Sequence, residues 1–92
     1  MFKTKLTQAE YDEIENLANR ALVAPNKKEA KGYTDRLAFL ASDFQGSVRN
    51  IINKLCAYVK DASGRVSYVS YKEDKEYFCK MDLYKLRGFI LK

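Results

Sequence analysis

The chain has 92 residues, and its 47% hydrophobic and 13% aromatic content is typical of a folded protein rather than a disordered one. Seventeen Lys and Arg against 12 Asp and Glu give a formal net charge of +5, which fits both a nucleic-acid-binding surface and an ordinary solvated basic surface. We expect one complete domain spanning residues 1–92 and a cytoplasmic location, because the chain begins with Met and shows no signal-peptide pattern.

The first predicted element is a helix over residues 7–24. Thr7 and Glu10 have the spacing of a capping box, in which each side chain bonds a backbone N–H at the helix start. Pro25 ends the helix, because proline lacks an N–H and disfavours helical geometry in the residue before it. The apolar residues that recur at helical spacing, and that we expect to be buried, are Tyr11, Ile14, Leu17, Ala18, Ala21 and Leu22.

A second predicted helix ends at about residue 41, and two starts fit the sequence. Asn26 with Glu29 has the spacing of a capping-box variant, and Thr34 is the other candidate N-cap. The predicted buried stripe consists of Tyr33, Leu37, Leu40 and Ala41. Three lysines form a cluster at the start, which we call the lysine corner: Lys27, Lys28 and Lys31. Cations there oppose the helix dipole, so the corner is either a solvated loop or a site for phosphate or acidic groups.

The central predicted helix runs to about residue 60 and contains the strongest amphipathic pattern in the chain. Ser42 with Gln45 has capping-box spacing, while Ser47 is an alternative cap that leaves 42–46 as a turn. Its predicted buried stripe is Phe44, Val48, Ile51, Ile52, Leu55 and Val59. Its outer face carries Arg49, Asn50, Asn53 and Lys60.

After this helix the periodicity changes and favours a β-hairpin. Residues 65–72 are rich in Val, Tyr and Ser, 73–75 form a charged turn, and 77–81 form the return strand. We expect a single helical turn over 82–87 and a C-terminal strand over 89–92. The predicted fold class is therefore α+β, with three helices followed by a small antiparallel sheet.

Catalysis and metal binding are both disfavoured by the composition. The chain has no histidine, which excludes Ser-His and Cys-His nucleophile pairs, and it has no glycine-rich phosphate loop. Two cysteines, Cys56 and Cys79, are too few for a zinc site, and we expect them to be buried thiols rather than a disulfide. We predict a non-enzymatic protein with no cofactor, no metal and no small-molecule substrate. No apolar run approaches the roughly 20 residues needed to span a membrane, so no membrane partner is predicted.

The segment from about residue 34 to 81 resembles a winged helix, with a helix-turn-helix followed by a hairpin wing. The positions that match the small and packing residues of the helix-turn-helix are Ala38, Ala41, Val48 and Ile51. Asp43 departs from the motif, since it falls where an apolar turn residue is usual, and Ser42 stands where a turn glycine is expected.

This resemblance implies a DNA-binding transcriptional regulator that contacts duplex DNA. It places Ser47, Arg49, Asn50 and Asn53 in the major groove. It places three further basic residues of the wing on phosphates, and these are Arg65, Lys72 and Lys75. We hold this as the alternative function.

A basic, tyrosine-rich chain without a catalytic constellation also fits a stoichiometric blocker that binds a larger machine. Tyrosine and arginine are favoured at interface hot spots, and the candidate tyrosines, each either core or surface, are Tyr33, Tyr68, Tyr71 and Tyr84. In size and general character the whole chain resembles the small phage-encoded anti-CRISPR proteins, a group that shares no motif. The resemblance implies an inhibitor in the host cytosol that docks on a CRISPR effector ribonucleoprotein, with lysines on guide RNA or in the groove meant for DNA. This is the preferred hypothesis.

Overall fold

In the computed structural model the described residues are 3–62 and 69–91, and side chains are described except those of 58–76 and Phe78. These residues form four helices. In chain order they are α1 (Gln8–Leu22), α2 (Lys27–Ala41), α3 (Gly46–Ala62) and α4 (Val69–Arg87). Within the described residues there is no β-sheet, and the extended backbone pairs only in two isolated bridges.

The predicted α+β fold is therefore wrong. Helix α4 contains most of the predicted hairpin: residues 69–72 of the first strand, the charged turn (73–75) and the return strand (77–81). Residues 65–68 of the predicted first strand lie outside the described residues. The segment 82–87 is helical as predicted, but it is the end of this long helix. Cys79, Leu83 and Leu86 explain the helix, because they recur at helical spacing and are all buried. Burying this stripe against the other helices outweighs the β preference of individual Val and Tyr residues.

Helix α1 confirms the start signals in the sequence. Thr7 is its N-cap, the Glu10 N–H donates to Thr7 Oγ1 at 3.1 Å, and the Thr7 N–H donates to Glu10 Oε1 at 2.8 Å. The helix ends at Leu22, two residues earlier than predicted, and Val23 is its C-cap. The predicted stripe is buried except for Leu17, which is partly buried against the core.

Of the two proposed starts for α2, the structure confirms Asn26. Its side chain accepts a hydrogen bond from the Glu29 N–H at 2.9 Å. Thr34 lies inside the helix, where it is buried and its hydroxyl donates to the Lys31 carbonyl at 3.2 Å.

The connection between α2 and α3 differs from the predicted capping box. Ser42 is the C-cap of α2, and its Oγ donates to the Phe39 carbonyl at 2.6 Å, so it does not open α3. Helix α3 begins instead at Gly46, whose φ of +69° lies in the region that glycine adopts without steric cost. The turn residue Phe44 is buried and carries the chain into the core.

The core lies between all four helices. Helices α1 and α3 each contact every other helix, whereas α2 and α4 flank them and do not contact each other through described residues. The predicted stripe of α3 supplies much of this core: Phe44, Val48, Ile52 and Leu55 are buried, Ile51 is partly buried, and the Val59 side chain lies outside the description.

The segment before α1 pairs with two other parts of the chain, the α2–α3 turn and the residues that follow α4. Lys3 forms a parallel bridge with Phe44 in the α2–α3 turn, and Leu6 forms a parallel bridge with Ile90. The Leu91 N–H donates to the Leu6 carbonyl at 2.8 Å. The predicted C-terminal strand is thus reduced to a single bridge after α4.

Candidate binding surface

The sequence-predicted residues of α3 form an exposed polar face. Arg49, Asn50 and Asn53 are all exposed, as is Ser47. They follow α2 after a connection of four residues, 42–45, which is compatible with a helix-turn-helix arrangement. One expected packing position, Ala38, is exposed rather than buried, so the match to that motif is incomplete.

The lysine corner lies at the opposite end of the α2–α3 pair. The Cys56 thiol lies 3.8 Å from the Thr34 carbonyl, and only residues 42–45 separate the two helices, so α3 turns back along α2. Lys27 and Lys28 are exposed, while Lys31 forms an ion pair with Asp35 at 2.7 Å. This pair lowers the effective charge of the corner. The structure therefore does not join the corner and the face of α3 into one surface.

Two of the three residues assigned to the wing lie on a helix. Arg65 lies outside the described residues, and Lys72 and Lys75 lie on α4, where only the backbone is described. A helix in this position cannot serve as a hairpin wing, so this part of the winged-helix prediction is wrong.

The structure also contains a concave site that the sequence prediction missed, an open groove of about 380 Å³ between α1 and α4. We call it the α1–α4 groove. It is lined by Tyr11, Glu15, Asn19, Lys80, Leu83, Tyr84 and Arg87. Residues near the start of α1 face residues near the end of α4, so the two helices are antiparallel. Leu83 and Tyr11 are buried and form the floor, while polar groups of both helices line the walls.

A hydrogen-bonded chain of three side chains crosses one end of the groove. Arg87 Nε donates to the Tyr11 hydroxyl at 3.1 Å, and that hydroxyl donates to Glu15 Oε2 at 3.0 Å. Arg87 also lies over the Tyr11 ring, with Cζ 5.7 Å from the ring centroid. Burial raises the pKa of the Tyr11 phenol; Arg87 opposes this shift and Glu15 adds to it. The phenol is therefore protonated at neutral pH and fixes the orientation of both charged groups.

The outer side of α4 is unusually apolar for a solvent-facing helix surface. Tyr77 and Tyr84 are 61% and 74% exposed, and Met81 lies between them at 40%. These three residues are spaced by four and three positions and so share one side of the helix. We call them, with their flanking cations, the α4 face: Tyr77, Lys80, Met81, Tyr84, Lys85 and Arg87. Asp82 is the only acid among the described side chains of α4, and it is buried.

The helical spacing of Tyr77, Met81 and Tyr84 is visible in the sequence and indicated this face. The prediction places 77–81 in a strand and 82–87 in a separate helical turn, so it does not bring Tyr84 onto the same face as Tyr77 and Met81. No pattern in the sequence of either helix indicates that α4 packs against α1.

The sulfur and carboxylate groups of the described residues were compared with the requirements of a metal site. Among residues 3–62 and 69–91 there is no group of three or more Cys, Asp or Glu side chains that could hold a metal ion. Both cysteines are thiols rather than a disulfide, as predicted; Cys79 is buried, but Cys56 is only partly buried. Burial raises the pKa of the Cys56 thiol to about 11, so it is a poor nucleophile at neutral pH.

Comparison with known proteins assigns no relationship to this chain. No family model matches it, and neither a curated protein nor a solved structure matches it. In the part of the chain that the structure describes, no helix has the length and apolar character required to cross a membrane.

Proposed function

We propose that this protein is a non-enzymatic inhibitor that docks on a nucleic-acid-containing effector complex, in the manner of anti-CRISPR proteins acting on a CRISPR effector ribonucleoprotein. The observation that supports this proposal is the α4 face. Three large side chains, Tyr77, Met81 and Tyr84, are exposed on the side of α4 that points away from the core. Large, partly apolar side chains of this kind bury substantial area when a partner covers them.

The residue types of the α4 face match those of interface hot spots. Tyrosine, methionine and arginine are enriched in protein interfaces, and hot spots are enriched in tyrosine and arginine. Lys80, Lys85 and Arg87 add positive charge around the apolar centre. A surface of this kind is complementary to an anionic partner, which nucleic acid and its complexes provide.

The proposal is tested with a panel of purified CRISPR effector complexes of different types, each loaded with guide RNA. The protein is titrated into each complex, and binding of labelled target DNA is measured by gel shift. We expect at least one complex to lose target binding at a stoichiometric ratio of inhibitor. Failure to bind or inhibit any complex of the panel would overturn the proposal.

A matched pair of variants identifies the surface used. Tyr84→Ala removes an exposed aromatic side chain from the α4 face, and Phe39→Ala removes one from α2, where Phe39 is 61% exposed. We expect Tyr84→Ala to weaken inhibition about tenfold or more, as hot-spot truncations do, and Phe39→Ala to leave it unchanged. Equal effects of both substitutions would contradict the assignment of the α4 face.

A second candidate function is duplex-DNA binding by α3, which the common exposure of Arg49, Asn50 and Asn53 favours. The winged-helix form is not retained, because α4 replaces the wing. Arg and Asn are the side chains that most often form paired hydrogen bonds with guanine and adenine in the major groove.

A gel shift with a duplex library at low salt tests the second candidate. Binding by α3 should weaken steeply as salt increases and should be abolished by Arg49→Glu combined with Asn50→Asp. Lys28→Glu with Asn16→Asp is the matched control, since it changes the net charge by the same amount at two exposed residues outside α3. A protein that shifts no duplex at low salt would exclude this function.

A further inference from the structure

We infer that the α1–α4 groove binds a single unpaired nucleotide of a single-stranded RNA or DNA. This inference rests on the proposed function and deepens it, because it names the part of the effector complex that one site recognises. Three features of the groove support it: two cations on one wall, an exposed ring at the rim, and a carboxylate with an amide on the other wall.

The cations suit the phosphates on either side of the nucleotide. Lys80 and Arg87 both line the groove from α4 and are seven residues apart, which is roughly 10 Å along a helix. Arg87 uses Nε for Tyr11, so its terminal N–H groups remain for another acceptor, and the guanidinium is already oriented. Guanidinium and ammonium groups held in this way are the usual phosphate ligands of proteins.

The ring suits the base. Tyr84 lines the groove and is 74% exposed, so a planar group can stack on it without displacing protein atoms. Stacking on an aromatic side chain is the main source of affinity for unpaired bases.

The opposite wall suits the edge of a base that carries an amino group. Glu15 accepts hydrogen bonds, and Asn19 both donates and accepts them, so together they match the amino groups of adenine and cytosine better than the carbonyl edge of uracil. An acidic peptide is disfavoured as the occupant, because its carboxylates offer neither a planar group to stack on Tyr84 nor a donor for Glu15. A duplex is disfavoured as well, since its stacked bases cannot reach the Tyr84 ring.

Fluorescence anisotropy with labelled oligonucleotides of about 12 residues tests the inference, using RNA and DNA forms of oligo(A) and oligo(U) at low salt. We expect both chemical forms of oligo(A) to bind more tightly than oligo(U), and a duplex of mixed sequence to bind more weakly than either single strand. Tighter binding of the RNA form than of the DNA form would support the inference and indicate a further contact to the 2′-hydroxyl. Tyr84→Ala should weaken binding about tenfold or more, and Tyr84→Phe should preserve it, because stacking needs only the ring.

Charge reversal at two exposed lysines separates the groove from general electrostatics. Lys80→Glu and Lys28→Glu change the net charge equally, but only Lys80 lines the groove. We expect Lys80→Glu to weaken oligo(A) binding at least fivefold more than Lys28→Glu, and Glu15→Gln to reduce the preference for oligo(A) over oligo(U). Equal losses from the two reversals, or tighter binding of poly-glutamate than of oligo(A), would overturn the inference.

The outcomes also separate this inference from the proposed function. A protein that inhibits an effector complex but binds no oligonucleotide would refute the nucleotide site and leave the inhibitor proposal intact. A protein that binds oligo(A) through Tyr84 but inhibits no complex would refute the proposed function and support the nucleotide site. Far-ultraviolet circular dichroism of each variant confirms that the fold is retained, as expected for substitutions of exposed side chains.

Discussion

Replacing Tyr11 by Phe removes one oxygen atom and tests how α4 is held against α1. The ring is 3% exposed, and its hydroxyl links Arg87 to Glu15 through bonds of 3.1 and 3.0 Å. Hydrogen bonds to charged groups contribute about 1.5–3 kcal/mol when both partners are buried. Arg87 is exposed and Glu15 is half-buried, so water replaces much of what is lost. We therefore expect Tyr11→Phe to lower the free energy of unfolding by about 1 kcal/mol.

Urea denaturation followed by circular dichroism at the helix band measures this loss, and thermal melting provides a second measure. A loss of 1 kcal/mol in a domain of this length lowers the melting temperature by about 4–8 °C. Tyr33→Phe is the control, because Tyr33 is only partly buried against the core and its hydroxyl has no hydrogen bond within the described residues. We expect the control to change stability by less than about 0.5 kcal/mol.

Equal losses in Tyr11→Phe and Tyr33→Phe would refute the reasoning. They would show that the phenol of Tyr11 does not connect the two helices, and the shape of the α1–α4 groove would then depend on packing alone. A change in the slope of the urea transition without a change in its midpoint would also contradict the prediction, since it indicates an altered denatured state.

Two further predictions concern titratable groups. Asp82 is 5% exposed, its Oδ2 has no hydrogen-bond partner, and burial raises its pKa despite Lys85 at 3.9 Å and the nearby Lys54. The folded state therefore takes up a proton at higher pH than the unfolded state, so the penalty from Asp82 is present at neutral pH and declines as pH falls. We expect Asp82→Asn to stabilise the protein at pH 7 by about 1 kcal/mol, with the gain shrinking as the pH is lowered in a series of urea titrations; a loss at pH 7 would contradict this. The Cys56 thiol, with a pKa of about 11, should react with iodoacetamide at pH 8 about a hundredfold more slowly in the folded protein than in urea, as followed by peptide mass spectrometry. Equal rates would show that the thiol is not buried.

The first three helices were predictable because their buried faces, and the starts of α1 and α2, depend on residues close together in the sequence, whereas the start of α3 at Gly46 was not predicted. Thr7 and Asn26 cap helices through side chains that bond a backbone N–H three residues on. The apolar stripe of α3 repeats without interruption from Val48 to Leu55. Caps and apolar stripes of this kind depend on local geometry, so they can be identified without knowing how the rest of the chain folds.

Helix α4 was missed because a buried carboxylate interrupts its apolar stripe. Cys79, Leu83 and Leu86 have helical spacing, but Asp82 lies among them at a buried position. In the sequence that aspartate resembles the N-cap of a new helix, and the Val and Tyr residues before it resemble a strand. The burial of Asp82 depends on how α4 packs against the other helices, and no pattern in the neighbouring sequence indicates it.

One of the two candidate sites could be predicted from the sequence and the other could not. Exposure of Arg49, Asn50 and Asn53 was predictable, since it follows from the face opposite a clear apolar stripe. The approach of Arg87 to Tyr11 joins residues from opposite ends of the chain and depends on how α4 packs. No spacing rule connects positions that distant, so the α1–α4 groove emerges only from the folded structure.

The bridge between Leu6 and Ile90 has a mechanical consequence. The two segments run parallel, and each is held by backbone hydrogen bonds, from the Leu6 N–H to the Phe89 carbonyl at 3.1 Å and from the Leu91 N–H to the Leu6 carbonyl at 2.8 Å. A force that pulls the two ends of the chain apart slides parallel segments past each other and loads both bonds at once. Unzipping would instead break them one after the other. The protein should therefore resist stretching along its termini more strongly than stretching between Leu6 and the α2–α3 turn.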